Sequence, residues 1–478
     1  MRTIEKLIVV LMLPAILWLF HPQLPSWMGF SAVAAAILVA FHARIEGMHW
    51  QMAPAYIGVV VLLLSEPGLP LNVAARLYCA FGVCLLLSGS LFLSWALPMF
   101  KLPKPTGKYP VGTRVLNLID SSRTEMHPWA MPGNREVVVQ LWYPSATDKW
   151  PKAKYRRKGE TSRVSSYQLV LATSSLQDAP LAMGRFPIVV FNPAWHGFRQ
   201  RGTGLAQELA SHGFVVAGVS HPYNSSMVAL SDGRVAHPDY GLDLGFSLVH
   251  HISLERRIAM AEEELAIQTE DCRFVLDELE RFDRTAGHPL EAHLQTDRVG
   301  GYGYSFGGAV SMEFAREDGR VRSALELDGV LHGSTAVHGL EKPFMIIDSA
   351  WIESWKGKEN ESSESIRDAE TARMWKSIAA AKSDVLMRYG GMHVVVEGIG
   401  HADFSDQVYL SPLRRFSSAG SVPRKRVAKI LGAYIVAFFR QTLCGIEEPI
   451  LDEGAQPFPE AKLRDWQRTE NLGQVSVR

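Results

Sequence analysis

The chain has 478 residues, with 49 Lys+Arg against 49 Asp+Glu, so its formal net charge is zero. That balance excludes a strongly basic nucleic-acid binder and an acidic-tail protein, because neither could set up the field it needs. The average hides an asymmetry. Residues 1–100 carry only seven charged side chains (Arg2, Glu5, Lys6, Arg44, Glu46, Glu66 and Arg76), whereas the remainder has an ordinary soluble density. The four cysteines, Cys79, Cys84, Cys272 and Cys444, show no CxxC spacing, so neither a disulfide framework nor a zinc site is expected.

Four apolar runs fill the first hundred residues: Ile4–Phe20, Leu24–Phe41, Met52–Ser65 and Leu77–Phe100. A spanning helix needs about 20 mostly apolar residues, with about 17 as the lower limit. The first, second and fourth runs reach that length. The third is short unless it tilts or re-enters. Four buried helices of a soluble core would keep polar faces for water, and these have none. A signal peptide would explain only the first run, and no small-residue cleavage site precedes His21-Pro22. Cationic ends at Arg2/Lys6 and at Lys101, Lys104 and Lys108 place both termini in the cytoplasm if all four runs span. If the third does not, the large domain lies on the other side.

From about residue 109 short apolar strands alternate with helices. In chain order the predicted elements are a strand at Glu136–Tyr143, a strand at Pro187–Phe191, a helix at Thr203–His212 and a strand at Phe214–Ser220. A long helix at Leu254–Arg281, a strand at Arg298–Tyr304 and a helix at Phe306–Arg316 follow. Strands at Ser323–Leu327, Phe344–Asp348 and Val394–Gly398 and an amphipathic helix at Arg424–Thr442 complete the series. This alternation predicts a doubly wound, mostly parallel sheet, which carries its reactive groups at the carboxyl ends of its strands. Two stretches break the pattern, Tyr223–Ser253 and Trp351–Gly391, the second helical around Ser365–Lys382. Each is either a surface loop or a cap over a pocket.

Gly303-Tyr304-Ser305-Phe306-Gly307-Gly308 matches G-x-S-x-G, the nucleophile elbow, and lies where it must, between a strand and a helix. A serine hydroxyl needs a base, and the base an orienting acid, in the order Ser, Asp/Glu, His. His401 follows the last predicted strand. Asp328 and Asp348 each end a strand, and on position both remain candidates for the acid. Oxyanion stabilisation needs two N–H donors, one from Phe306 and one from Asn192–Phe198, where Trp195 is the candidate. His196, His212, His221, His250, His251, His332, His338 and His393 are expected to be structural. Asp403 and Asp406 are expected to shape the loop around His401.

These residues together resemble the plasma-type platelet-activating factor acetylhydrolase family and its bacterial esterase relatives within the α/β-hydrolases. The resemblance covers roughly residues 109–445. It rests on Phe186–Val219 with Asn192-Pro193-Ala194-Trp195 and Ala210-Ser211-His212-Gly213-Phe214, and on the elbow. Leu327-Asp328-Gly329, Gly400-His401-Ala402-Asp403-Phe404-Ser405-Asp406 and the helix ending Tyr434–Phe439 complete it. It implies Ser305 as nucleophile, Asp328 rather than Asp348 as acid and His401 as base. Two positions depart from the family: Tyr304 stands where it usually has His, and Pro193-Ala194-Trp195 where it usually has a Gly-containing turn.

The expected protein is therefore an α/β-hydrolase esterase with residues 1–100 as a transmembrane region, 101–445 as catalytic domain and 446–478 as a C-terminal tail. The resemblance implies short-chain or oxidised acyl esters of phospholipid, or small carboxylic esters, as substrates, with no metal or organic cofactor. The expected location is the bacterial inner membrane, catalytic domain on the cytoplasmic side, and no nucleic-acid partner. An acyltransferase with the same triad and a non-catalytic membrane sensor are the alternatives. Nothing in the sequence bears on oligomeric state.

Overall fold

The computed structural model describes residues 1–65, 71–239, 254–350, 366–413 and 418–467. Its first part is a bundle of four helices, α1 (Thr3–Phe20), α2 (Trp27–Ile45), α3 (Ala53–Leu63) and α4 (Val73–Ala96). α1 stops before His21-Pro22, where a following proline disfavours helical backbone. The Asn72 side chain caps α4 by accepting the Ala75 N–H at 2.8 Å. Ile8, Met12 and Ile16 of α1 pack with Val59 and Leu62 of α3 and Val83 and Leu87 of α4. Large apolar side chains also face outward, among them Leu13, Phe30, Ile37, Leu85 and Phe92. That reverses the soluble pattern, in which the outer face is polar. α1, α2 and α4 are long and apolar enough to cross a membrane, whereas α3, with 11 residues, is not.

The second part is built on a sheet of β1 (Val111–Thr124), β2 (Asn134–Pro144), β3 (Lys152–Lys154), β4 (Ala172–Gln177), β5 (Phe186–Asn192) and β6 (Val215–Ser220). A separate pair, β7 (Val228–Ala229) and β8 (Val235–Ala236), precedes β9 (Leu294–Tyr304), β10 (Val321–Leu327), β11 (Phe344–Ser349), β12 (Gly391–Val396) and β13 (Ala461–Trp466). Eleven strands join in the order β13-β12-β11-β10-β9-β5-β6-β2-β1-β4-β3. β6, β5, β9, β10, β11 and β12 are parallel, and β2 and β13 flank them antiparallel. The succession of strands reverses direction between β5 and β9, which places the crevice beside their carboxyl ends.

Helices cover both faces: α5 (Thr203–Ser211), α6 (Leu254–Arg284), α7 (Phe306–Glu317), α8 (Gly333–His338), α9 (Ile366–Tyr389), α10 (Gln407–Leu410) and α11 (Arg424–Cys444). Alternation along β5 divides the core. Ile188 and Val190 pack with Leu276 of α6 and Val310 of α7, and Val189 and Phe191 with Leu209 of α5 and Phe439 of α11. α11 is also long and apolar, but it packs Tyr434, Phe438 and Phe439 into this core.

The α/β-hydrolase architecture follows the sequence expectation, with three corrections. The last parallel strand is Gly391–Val396 rather than Val394–Gly398. The left-handed Gly390 and Gly391 (φ 77° and 111°) turn the chain out of α9 directly into the strand, and Gly398 (φ 74°) turns it away. Residues 446–478, expected as a tail, contribute β13, whose Leu463 pairs with Val394 of β12. β1, β3 and β4 were not expected; they extend the sheet beyond β2. Within the stretch from Trp351, α9 matches the expected helix. The parts of both interrupting stretches at 240–253 and 351–365 lie outside the described residues.

Candidate active site

Ser305 stands between β9 and α7 with φ 58° and ψ −125°, a conformation that costs a non-glycine residue energy and persists only where its surroundings enforce it. A Cβ on Gly303 would meet the Gly307 carbonyl at 1.8 Å, and one on Gly307 the Asn192 carbonyl at 2.2 Å. Both glycines are thus required by close backbone approach. The Ser305 N–H donates to the Leu327 carbonyl at 2.9 Å, tying the elbow to β10.

Asp328 follows β10, itself left-handed at φ 47°, with its N–H on the Ile347 carbonyl at 2.8 Å. Its Oδ1 accepts from the Ser349 N–H and Ser349 Oγ, each at 2.7 Å. Its Oδ2 meets His401 Nδ1 at 2.7 Å. The aspartate side chain is 1% exposed and the histidine 38%, so the imidazole reaches from a buried anchor toward solvent. With Nδ1–H donated to the carboxylate, Nε2 is the nitrogen left to take a proton. The ring of Tyr304, next to Ser305 in the chain, lies 4.8 Å from that of His401. Among the described contacts Ser305 Oγ forms no hydrogen bond with His401, a bond that is often long before substrate closes the site.

Asp348 has other partners. Its Oδ1 accepts from Lys382 at 2.6 Å and its Oδ2 meets His393 at 3.1 Å. Burial works to raise this carboxyl, but Lys382 and His393 overcome it and hold it below the usual carboxylate range. Lys382 also donates to Glu326 at 3.0 Å, and burial pushes the Glu326 carboxyl up to about 8. The geometry therefore brings Asp328, not Asp348, to His401.

Phe306 opens α7, where the first N–H groups of a helix have no acceptor within it. Trp195 packs its ring edge-on against Phe306 at 5.0 Å. Gly197 N–H donates to Ala194 O at 2.6 Å and His196 is left-handed at φ 51°, so the chain makes a tight turn over Ala194–Gly197. Asn192, which begins this loop, is held from below by Ser311 at 3.0 Å and His221 at 3.2 Å. Asp403 Oδ2 accepts from the N–H groups of Gly400 (2.9 Å) and Gly420 (2.6 Å), and Asp406 accepts from Gly204. Asp403 thus binds the backbone of the His401 loop, as the sequence reading expected, whereas Asp406 ties that loop to the first turn of α5.

A cavity of about 340 Å³ lies beside this turn, lined by Trp195, His196, His127, Tyr223 and Met260. A larger cavity, about 760 Å³, lies between the loop that follows His401 and α11. Ser349, Glu326 and Lys382 were missed by sequence reasoning. No motif marks them, because each matters only through packing of strand ends distant along the chain.

Comparison with known proteins identifies the family and the fold. The family model described as platelet-activating factor acetylhydrolase, isoform II, matches residues 96–447 and begins as α4 ends. A probable 1-alkyl-2-acetylglycerophosphocholine esterase of Arthroderma benhamiae is 21% identical over 404 residues, 77% of this chain and 94% of that one. The platelet-activating factor acetylhydrolase of Cavia porcellus is 26% identical over 288 residues, 53% of this chain and 61% of that enzyme's length. The solved ferulic acid esterase from Streptomyces cinnamoneus superposes with a TM-score of 0.58 at 27% identity, covering 76% of this chain and 99% of that one.

Proposed function

The chain belongs to the platelet-activating factor acetylhydrolase family, isoform II, and is an ester-hydrolysing enzyme; on that premise we propose that it is a membrane-anchored serine hydrolase of short or oxidised acyl esters of phospholipid, using Ser305, His401 and Asp328. The observation that carries this reading is the 2.7 Å hydrogen bond between buried Asp328 and half-exposed His401, beside the strained Ser305 elbow.

In the proposed reaction His401 Nε2 takes the Ser305 proton as Oγ attacks the ester carbonyl. Asp328 holds the imidazole in the right tautomer and stabilises the imidazolium. The N–H groups of Phe306 and Trp195 receive the oxyanion. His401 then returns the proton to the leaving alcohol, and water, activated by the same nitrogen, releases the acyl group. The chemistry calls for no metal or organic cofactor. Anchoring by α1, α2 and α4 is supported by their length and outward apolar faces, and would hold the site near a lipid surface.

The test is labelling of the full chain in detergent with a fluorophosphonate probe, together with a panel of p-nitrophenyl esters of increasing acyl length. Labelling lost in Ser305→Ala and turnover confined to short acyl chains are expected. A folded wild-type protein that is neither labelled nor active would overturn the reading.

A further inference from the structure

Beyond the Trp195 loop several guanidinium nitrogens are buried without a hydrogen-bond partner among the described residues. Arg156 is 5% exposed, and its Nε and Nη1 have no hydrogen-bond partner among the described residues. Arg201 Nε and Arg157 Nη1 are also buried without a partner. The guanidinium carbons of Arg156 and Arg201 lie 3.8 Å and 4.7 Å from the centre of the same Phe198 ring. The nearby carboxylate, Glu160, is already committed: one oxygen accepts from Arg199 at 2.6 Å and the other from Gln200 at 2.7 Å. The described hydrogen bonds of the Asp406 carboxyl come from the Gly204 N–H and the Tyr155 hydroxyl, not from either arginine. Burial pushes Arg156 down to about 10, with Arg199 and Arg201 adding to the effect of burial and Glu160 opposing it. Unpaired buried guanidinium groups are costly, and their planar forks match phosphate oxygens.

The location gives the ligand. Phe198 lies three residues beyond Trp195, and the Asp406 N–H donates to the Arg201 carbonyl at 2.7 Å, which ties Arg201 to the loop that follows His401. On the other side Leu97, Met99, Phe100 and Leu102, the segment leaving α4, pack against Tyr155, Tyr167 and Phe198. The arginines therefore stand between the candidate active site and the end of the apolar bundle. Arg201 also lines the cavity of about 760 Å³, with Lys104, Asp406 and Tyr409, which leaves room for a headgroup.

We propose that Arg156 and Arg201, braced on Phe198, form a subsite for the phosphate of a glycerophospholipid ester, placing its acyl carbonyl at Ser305. This rests on the esterase reading above and adds the group by which the substrate is recognised.

The test compares hydrolysis of a 2-acetyl glycerophosphocholine lipid with that of p-nitrophenyl acetate by the full chain in detergent. For Arg156→Gln and Arg201→Gln the ratio of kcat/KM between the two substrates should fall at least about tenfold, with partial recovery in the lysine variants, which keep the charge without the fork. A ratio that stays constant while both rates fall means a structural role and overturns the proposal, as does an unchanged ratio at full rates. Binding is read independently of turnover by calorimetry on Ser305→Ala, with 1-O-alkylglycerophosphocholine, the phosphate-free 1-O-alkylglycerol and inorganic phosphate. Preference for the phosphate-bearing lipid that disappears with Arg156→Gln supports the subsite. Equal binding of the two lipids overturns it, and inorganic phosphate binding without that preference assigns the arginines to a free anion instead. Loss of all wild-type ester hydrolysis with the lipid preference intact would overturn the esterase reading and leave the subsite standing.

Discussion

Two Asp–His pairs stand at the sheet, on neighbouring strand ends, and differ in what else touches them. Asp328 meets His401 at 2.7 Å and is otherwise held by the neutral donors of Ser349. Asp348 meets His393 at 3.1 Å but is also clamped by Lys382 at 2.6 Å, and His393 sits inside β12, paired with Ile346. The first histidine projects from a loop and is over a third exposed; the second is 9% exposed. The lesson is that an aspartate at a strand end is poised for proton transfer by its remaining partners, not by its position. Neutral donors leave its charge available to the imidazole, and an ammonium consumes it.

The widest separation between the pairs is expected in turnover. Asp328→Asn should lower kcat on p-nitrophenyl acetate by roughly 10³–10⁴-fold with little change in unfolding, since an amide favours the wrong imidazole tautomer. A loss below tenfold, with a larger one in Asp348→Asn, would invert the comparison. Asp348→Ala should act on the fold: leaving Lys382 buried without its main partner should cost about 3–5 kcal/mol in thermal or denaturant unfolding, with the folded fraction still labelled by fluorophosphonate. The double variant Asp348→Ala/Lys382→Met should recover much of that loss, because removing both charges is far cheaper than stranding one. No recovery would show that the ion pair is not the reason Asp348 is there.

The smallest effect sharpens the contrast from the histidine side. His127 has a carboxylate at each ring nitrogen, Glu125 at 2.6 Å and Glu264 at 2.7 Å. Burial would lower its pKa, but the two glutamates raise it to about 9, so it stays an imidazolium at neutral pH, whereas the role proposed for His401 requires proton exchange. A raised folded-state value contributes stability below the ordinary pKa near 6.5 that is lost as pH climbs through 9. His127→Gln should therefore cost about 1–3 kcal/mol at pH 6 and progressively less toward pH 10, read as the difference in Tm between the two proteins. A difference independent of pH would mean that packing, not charge, holds His127.

Much of the fold and of the candidate site was legible in the chain itself, because local chemistry writes it there. The apolar runs of α1, α2 and α4, the buried strands β5 and β6 and the glycine-flanked Ser305 each satisfy a rule that acts over a few residues: span length, continuous burial, or clearance at a tight turn. The mixed extension through β1, β3 and β4 and the closing strand β13 were not legible, since a half-exposed strand differs little in sequence from a loop until its partner is known. The choice of acid lay between these cases. Position favoured Asp328 and left Asp348 open as a rival, and the family resemblance strengthened the first. Only the tertiary structure supplied a physical reason, by bringing Lys382 from α9 to Asp348 and Ser349 from β11 to Asp328. The arginines at Phe198 belong to that second kind of knowledge. Sequence counts their charges, but only packing reveals that guanidinium nitrogens of Arg156 and Arg201 are buried without a hydrogen-bond partner among the described residues.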